Sequence, residues 1–303
     1  MLTINLDYAS SHTQKLNQSQ KDDIQYAAKQ WEQVIENELT INIIIYYVDT
    51  TGAGFHAMCI PGICQTETHT LTRPLAKLTG TIKNPHDTKY DLIVIIDSST
   101  QWRIGHSSEP KITQGEHCLS TTMMHEFCHG LGFLGLGAVS ETEGFYSSAT
   151  LLLPRLQYIM KHLEIDIPYD NFILGLTKEG ELDLKKIKQG MEAITPFDEL
   201  LTYADAPQYQ HKGQASADYH AFMGKESIYI KKYILATAAY TYNQFYPFST
   251  CTHIVSDKDS ERGEKDKKYL MNPSITGQYY ATPDKASLDI LEAIGWNIKK
   301  EIF

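Results

Sequence analysis

His125-Glu126-Phe127-Cys128-His129 is the segment of this chain best equipped to do chemistry. Residues four apart share one face of an α-helix, so both imidazoles can meet a single metal ion. Glu126, beside the first histidine, can reach a metal-bound water and accept its proton. Zinc suits such a site, because it takes imidazole nitrogen and tolerates an open fourth position. The bland alternative is a buried helix whose histidines are satisfied by hydrogen bonds. That reading leaves an acid on an otherwise apolar helix without a reason.

A helix carrying this motif must start and stop in defined places. Ser120, Thr121 and Thr122 offer capping oxygens just ahead of Met123 and Met124. Gly130 and Gly132 follow the motif and end the helix near residue 131. Cys128, one position before His129, points off the shared face and is read as core packing.

The elements that hold this helix are legible upstream. Residues 18–39 carry Ile24, Ala28, Trp31, Ile35 and Leu39 on one helical stripe. Strand-like runs follow at 41–48 and 91–97, joined by a Gly/Pro-containing connection. A polar loop with Trp102, His106 and His117 then leads into the motif. Helix, strand, loop, strand, helix suits a sheet covered by helices. After Gly137 the pattern weakens: short helical stretches are expected at 150–163 and 226–240, in a tyrosine-rich background. The charged run 256–269 reads as a solvated loop, since it lacks the ligand spacing of a calcium loop. A closing helix is expected at 284–294, after Pro283.

Composition sets outer bounds. The chain has 303 residues, 42% of them hydrophobic, enough for one large domain or two lobes. Its net charge of −10 argues against nucleic acid and anionic membranes as partners. The apolar runs are strand-sized, too short to span a bilayer. The opening MLTINLDYASSHTQ has neither the basic start nor the apolar stretch of a signal peptide. The expectation is a secreted protein, whether its leader has been removed or it leaves by another route, or one delivered to another cell; retention in the cytoplasm is the alternative. Five cysteines leave at least one thiol outside any internal pairing. Cys59 and Cys64 flank a Pro-Gly turn that can bring them into bridging range, and Cys118 with Cys251 is a second candidate bridge.

HEFCHGLG matches the first eight positions of the metzincin zinc helix, HExxHxxGxxH, with Gly132 at the family's glycine. The chain departs from that pattern at Gly135, where the family has its third ligand. Tyr269-Leu270-Met271-Asn272-Pro273 resembles the Met-turn beneath the zinc, in its matrixin version. The chain is most similar to a group of secreted bacterial zinc peptidases with an HExxHGLGF helix. The residues carrying that likeness are Ala27-Ala28-Lys29-Gln30-Trp31, Asp91–Ile96, Trp102, Ser249-Thr250-Cys251-Thr252-His253, the Met-turn and Leu291–Trp296. Their order spans nearly the whole chain; residues 140–245 match only loosely.

The resemblance implies an α+β fold of metzincin type, a single metallopeptidase domain over 1–303. Its sheet-and-helix lobe, 1–137, would carry the zinc helix. A mainly helical or irregular lobe, 138–303, would carry the third ligand and the Met-turn. It implies Zn2+ held by His125, His129 and His253, with Glu126 as general base in the hydrolysis of a protein or peptide. Other third ligands remain open: Glu141 or Glu143, in a His/His/Glu site, and His117, His106 or His220. Tyr279 and Tyr280, just past the Met-turn, could offer a phenol to an oxyanion, though packing is the commoner role of tyrosine. Beside the endopeptidase stand two other readings. One is an inactive metal-binding interaction protein; the other is a narrow-specificity zinc hydrolase acting as an effector.

Overall fold

A computed structural model of the chain describes residues 1–9, 15–52, 54–65, 70–82, 89–106, 115–135, 137–140, 144–147, 169, 173–177, 180–183, 228–230, 233–235, 252–257 and 269–300. The chain is a mixed α and β protein that divides into two compact units. The first comprises Met1–Thr66, Leu71–Phe133 and Lys268–Phe303; the second comprises Glu67–Thr70 and Leu134–Lys267. Met271 and the closing helix therefore belong with the N-terminal elements, where the sequence reading put them in the second lobe.

The first unit is built on a four-stranded sheet in the order β1-β2-β6-β3. Strands β1 (Leu2–Tyr8), β2 (Leu39–Val48) and β6 (Leu92–Asp97) run parallel, and β3 (Ala57–Pro61) runs antiparallel along the β6 edge. Period-two alternation sends Ile41, Ile43 and Ile45 of β2, and Leu92, Val94 and Ile96 of β6, into the core. Helices α1 (Gln18–Val34) and α3 (Leu119–Gly130) pack together in this unit. Between β3 and β6 lie the short strands β4 (Ile63–Gln65) and β5 (Thr70–Thr72) and helix α2 (Arg73–Leu78).

Helix α1 begins at Asn17, which exchanges reciprocal capping bonds with Gln20. It buries Ile24, Ala27, Ala28, Trp31 and Val34. It ends at Val34, short of the expected 39, because Ile35 turns extended and bridges to Ile298. Leu39 then belongs to β2. Strand β1 went unread in the sequence, although Leu2 and Ile4 alternate with exposed neighbours.

Two buried tryptophans pin α3. The Trp31 indole N–H donates to the Met124 carbonyl at 3.1 Å, and that of Trp296 to the Leu131 carbonyl at 2.8 Å. The helix does not start on a hydroxyl cap. Strand β8 (His117–Cys118) pairs with β7 (Trp102–Arg103) and keeps the chain extended to Cys118, the N-cap residue. Ser120, Thr121 and Thr122 are buried inside the helix instead, and Thr121 Oγ1 accepts the Tyr280 N–H at 2.9 Å. Helix α4 (Lys285–Ala293) closes the unit on an Asp284 cap, one residue from each expected end.

In the second unit, β9 (Gly137–Ser140) pairs antiparallel with β10 (Gly144–Ser147). A five-stranded sheet runs β12-β11-β13-β14-β15, from β11 (Ile173–Thr177) and β12 (Gly180–Asp183) through β13 (Ile228–Ile230) and β14 (Tyr233–Leu235) to β15 (Ile254–Asp257). The helix expected at 226–240 is thus replaced by strands β13 and β14, with Tyr229 opposite Ile234 and Ile230 opposite Tyr233. Isoleucine and tyrosine fit a pleated surface better than a helical stripe, and cross-strand pairing decided the outcome. The described residues of the second unit are largely strand, where the sequence reading expected a mainly helical or irregular lobe over 138–303; most of that range lies outside the described residues. The stretch 150–163 and most of the charged run 256–269 lie outside the described residues. Among the described residues, no helix is long and apolar enough to cross a membrane.

Candidate metal centre

All of α3 is buried, which is unusual for a helix carrying two histidines and a glutamate. The i, i+4 spacing brings the rings of His125 and His129 edge to face, 4.7 Å apart, with their Nε2 atoms separated by 3.0 Å. Each ring is held from behind by a backbone carbonyl. His125 Nδ1 lies 2.7 Å from the Leu270 oxygen, and His129 Nδ1 lies 2.7 Å from the Phe133 oxygen. A carbonyl only accepts, so both Nδ1 atoms carry the proton and both Nε2 atoms present a lone pair. Two lone pairs at this separation repel unless a proton or a cation stands between them.

Local chain geometry supplies both carbonyls. Gly132 has φ +114°, and the tight turn there lets the Phe133 N–H reach the Cys128 carbonyl at 3.1 Å. The same turn brings the Phe133 oxygen back over His129. Leu270 sits in the turn closed by the Asn272 N–H on the Tyr269 carbonyl at 3.0 Å, with Leu270 and Met271 fully buried.

His253, immediately before β15, is buried, with Nδ1 3.2 Å from Thr252 Oγ1. One ring nitrogen each from His125, His129 and His253 lies within 4.8 Å of the other two, close enough to hold a metal ion. Metal-binding histidines commonly keep Nδ1–H on a protein acceptor and leave Nε2 for the ion, and the Nδ1 atoms of His125 and His129 have such acceptors.

Glu126 is 7% exposed. Burial pushes its carboxyl up to about 8, against the opposing pull of the Cys59 backbone N–H on edge strand β3. A cation nearby would favour the charged form and draw that value back down.

The other candidate residues are engaged elsewhere. His106 Nδ1 lies 2.7 Å from a carboxylate oxygen of buried Asp23, and its ring stacks on Tyr26. The His117 ring lies against that of His56, with centroids 3.8 Å apart and planes tilted by 39°. Neither belongs to the cluster of three. Glu141, Glu143 and His220 lie outside the described residues. The Tyr279 hydroxyl donates to the His106 carbonyl at 3.1 Å and the Tyr280 hydroxyl to Gln278 Oε1 at 3.3 Å, so both phenols have protein acceptors.

Cys59, Cys64, Cys118 and Cys128 are free thiols, which corrects the expected Cys59–Cys64 bridge. Cys59 is buried beneath α3, where a Cβ on Gly130 would meet its Sγ at 3.0 Å, whereas Cys64 lies on β4 beside Arg73. Cys118 Sγ contacts Ser120 Oγ at 3.4 Å, and Cys251 lies outside the described residues.

Residue types gave no warning of the backbone groups at the site: the carbonyls of Leu270 and Phe133 and the N–H of Cys59. Only Gly132 signalled one of them, through the turn it permits. No family model, no curated protein and no solved structure matches this chain.

Proposed function

We propose that this chain is a zinc-dependent metalloendopeptidase of metzincin type, acting on protein or peptide substrates outside the cell that makes it. The observation that carries this reading is the pair of Nε2 atoms 3.0 Å apart, each made a lone-pair donor by a carbonyl behind it. Two nitrogens on one tetrahedral zinc stand about 3.3 Å apart, given Zn–N of about 2.05 Å. His125, His129 and His253 would hold the ion, leaving a fourth position open. Zinc, when bound, supplies a Lewis acid that activates water and polarises a carbonyl.

The remaining work falls to the chain. Glu126 sits one residue from His125 and accepts a proton at its carboxylate, then returns it to the leaving amine. The Cys59 N–H fixes one face of that carboxylate against β3. A bound cation would draw this carboxyl down from its raised metal-free value, so that it stands as a carboxylate able to take the proton.

Elemental mass spectrometry on wild type, His125→Ala and His253→Ala tests the ligand set. About one zinc per chain in wild type, lost in both variants, is expected. Zinc retained by His253→Ala would remove it from the ligand set, and no zinc in wild type after reconstitution would overturn the proposal. Glu126→Gln should keep zinc and lose hydrolysis of a mixed peptide pool.

A further inference from the structure

We infer that Asp284 is a positioning residue for the metal site, acting through the backbone of Leu270. This rests on the proposed site at His125 and adds to it a residue with no motif of its own. Asp284 uses both carboxylate oxygens. Oδ1 accepts the Ser287 N–H at 2.9 Å and its hydroxyl at 2.6 Å, capping α4. Oδ2 accepts the Leu270 N–H at 2.8 Å. Leu270 in turn offers its carbonyl to His125 Nδ1 at 2.7 Å.

Leu270 is thus clamped at both ends: its N–H on α4 and its C=O on the metal helix. The two groups belong to successive peptides, so the effect is mechanical and not a polarisation through one amide. Holding the N–H limits rotation of the residue that aims the carbonyl. The aimed carbonyl sets the His125 tautomer and the direction of Nε2. Leu270 is itself fully buried, and Ser287 is too, so the tether runs through rigid surroundings.

Two substitutions separate the tether from the cap. Ser287→Ala removes one bond to the capping oxygen Oδ1 and leaves Oδ2 on the Leu270 N–H. Asp284→Ser keeps an N-cap oxygen but has no second oxygen for the Leu270 N–H. Nitrogen-15 NMR of the His125 ring in metal-free protein at pH 8 should show a single Nδ1–H tautomer in wild type and Ser287→Ala. Asp284→Ser should show a tautomer mixture, and zinc affinity measured against a chromophoric chelator should fall about 10- to 100-fold. The cobalt(II) absorption of Asp284→Ser should shift and broaden, with Ser287→Ala keeping the wild-type band. A fixed tautomer and wild-type zinc affinity in Asp284→Ser would overturn the inference. If wild type binds no zinc yet Asp284→Ser still loses its fixed tautomer, the positioning stands and the metallopeptidase reading fails.

Discussion

Replacing Gly132 with alanine tests how the turn after α3 serves the site. Gly132 has φ +114°, a conformation that costs an L-residue roughly 1–3 kcal/mol. An added Cβ would also stand 2.7 Å from Leu75 Cδ1 and 3.0 Å from Ile294 Cδ1. Both neighbours are buried, so relief requires repacking, which costs roughly a further 1–2 kcal/mol. The combined loss of about 2–5 kcal/mol should lower the thermal midpoint by about 5–15 °C. Gly52→Ala is the control, because Gly52 has φ +86° and nothing within 4 Å of the added carbon. It should lose only the backbone part. Circular dichroism melts of metal-free protein measure the difference, and chelator competition measures zinc affinity alongside. If Gly132→Ala loses no more than Gly52→Ala, the steric argument is wrong. If it melts early but binds zinc as tightly as wild type, the turn does not aim the Phe133 carbonyl at His129.

Three pH-linked outcomes are expected from buried titratable groups. The Glu126 pKa is raised by burial to about 8, so in metal-free protein its stability contribution is full below about 4.5 and is lost as pH rises through 8. Metal-free Glu126→Gln should therefore be the more stable protein at pH 9, by at most roughly 5 kcal/mol, and nearly equal at pH 5; urea melts with chelator present would expose an error as equal stability at both. His117 is pushed down to about 4 by burial, then by its neighbour His56, so its stability contribution is present above about 6.5 and disappears as pH falls through 4. His117→Phe should resist acid unfolding in that window, and an unchanged acid midpoint would refute the assignment. Burial alone would raise the Asp97 carboxyl, but bonds from the Ser99 hydroxyl, the Thr50 and Ser99 N–H groups and the Thr100 hydroxyl together bring it well below the usual range. Asp97→Asn should be less stable than wild type at pH 7, with the gap closing as pH falls below about 4; a gap independent of pH would show that the charge is not what matters.

The parts of the fold that could be read in advance were those dominated by local side-chain periodicity. The stripe of Ile24, Ala28 and Trp31, the β-branched runs of β2 and β6, and the closing helix after Pro283 all depend on a few neighbouring residues. The misread parts depended on partners distant in the chain. Ile35 leaves the helix for Ile298, Cys118 is kept extended by Arg103, and Ile230 is drawn into a sheet by Tyr233 and Ile173. The free thiols follow the same rule: a Pro-Gly turn permits Cys59 and Cys64 to approach, but β3 takes Cys59 into the core.

By itself the sequence determined the chemistry on offer at the site. Helical spacing puts His125 and His129 on one face with Glu126 beside them, because 3.6 residues per turn is a property of the backbone alone. Only the tertiary structure decided what that chemistry becomes. Carbonyls from Leu270 and Phe133 choose the tautomer of each ring, burial sets the proton affinity of Glu126, and Asp284 holds the turn that aims at His125. Those contributions come from backbone dipoles and from exclusion of water. Neither is written in residue identity, and both exist only once distant segments have packed.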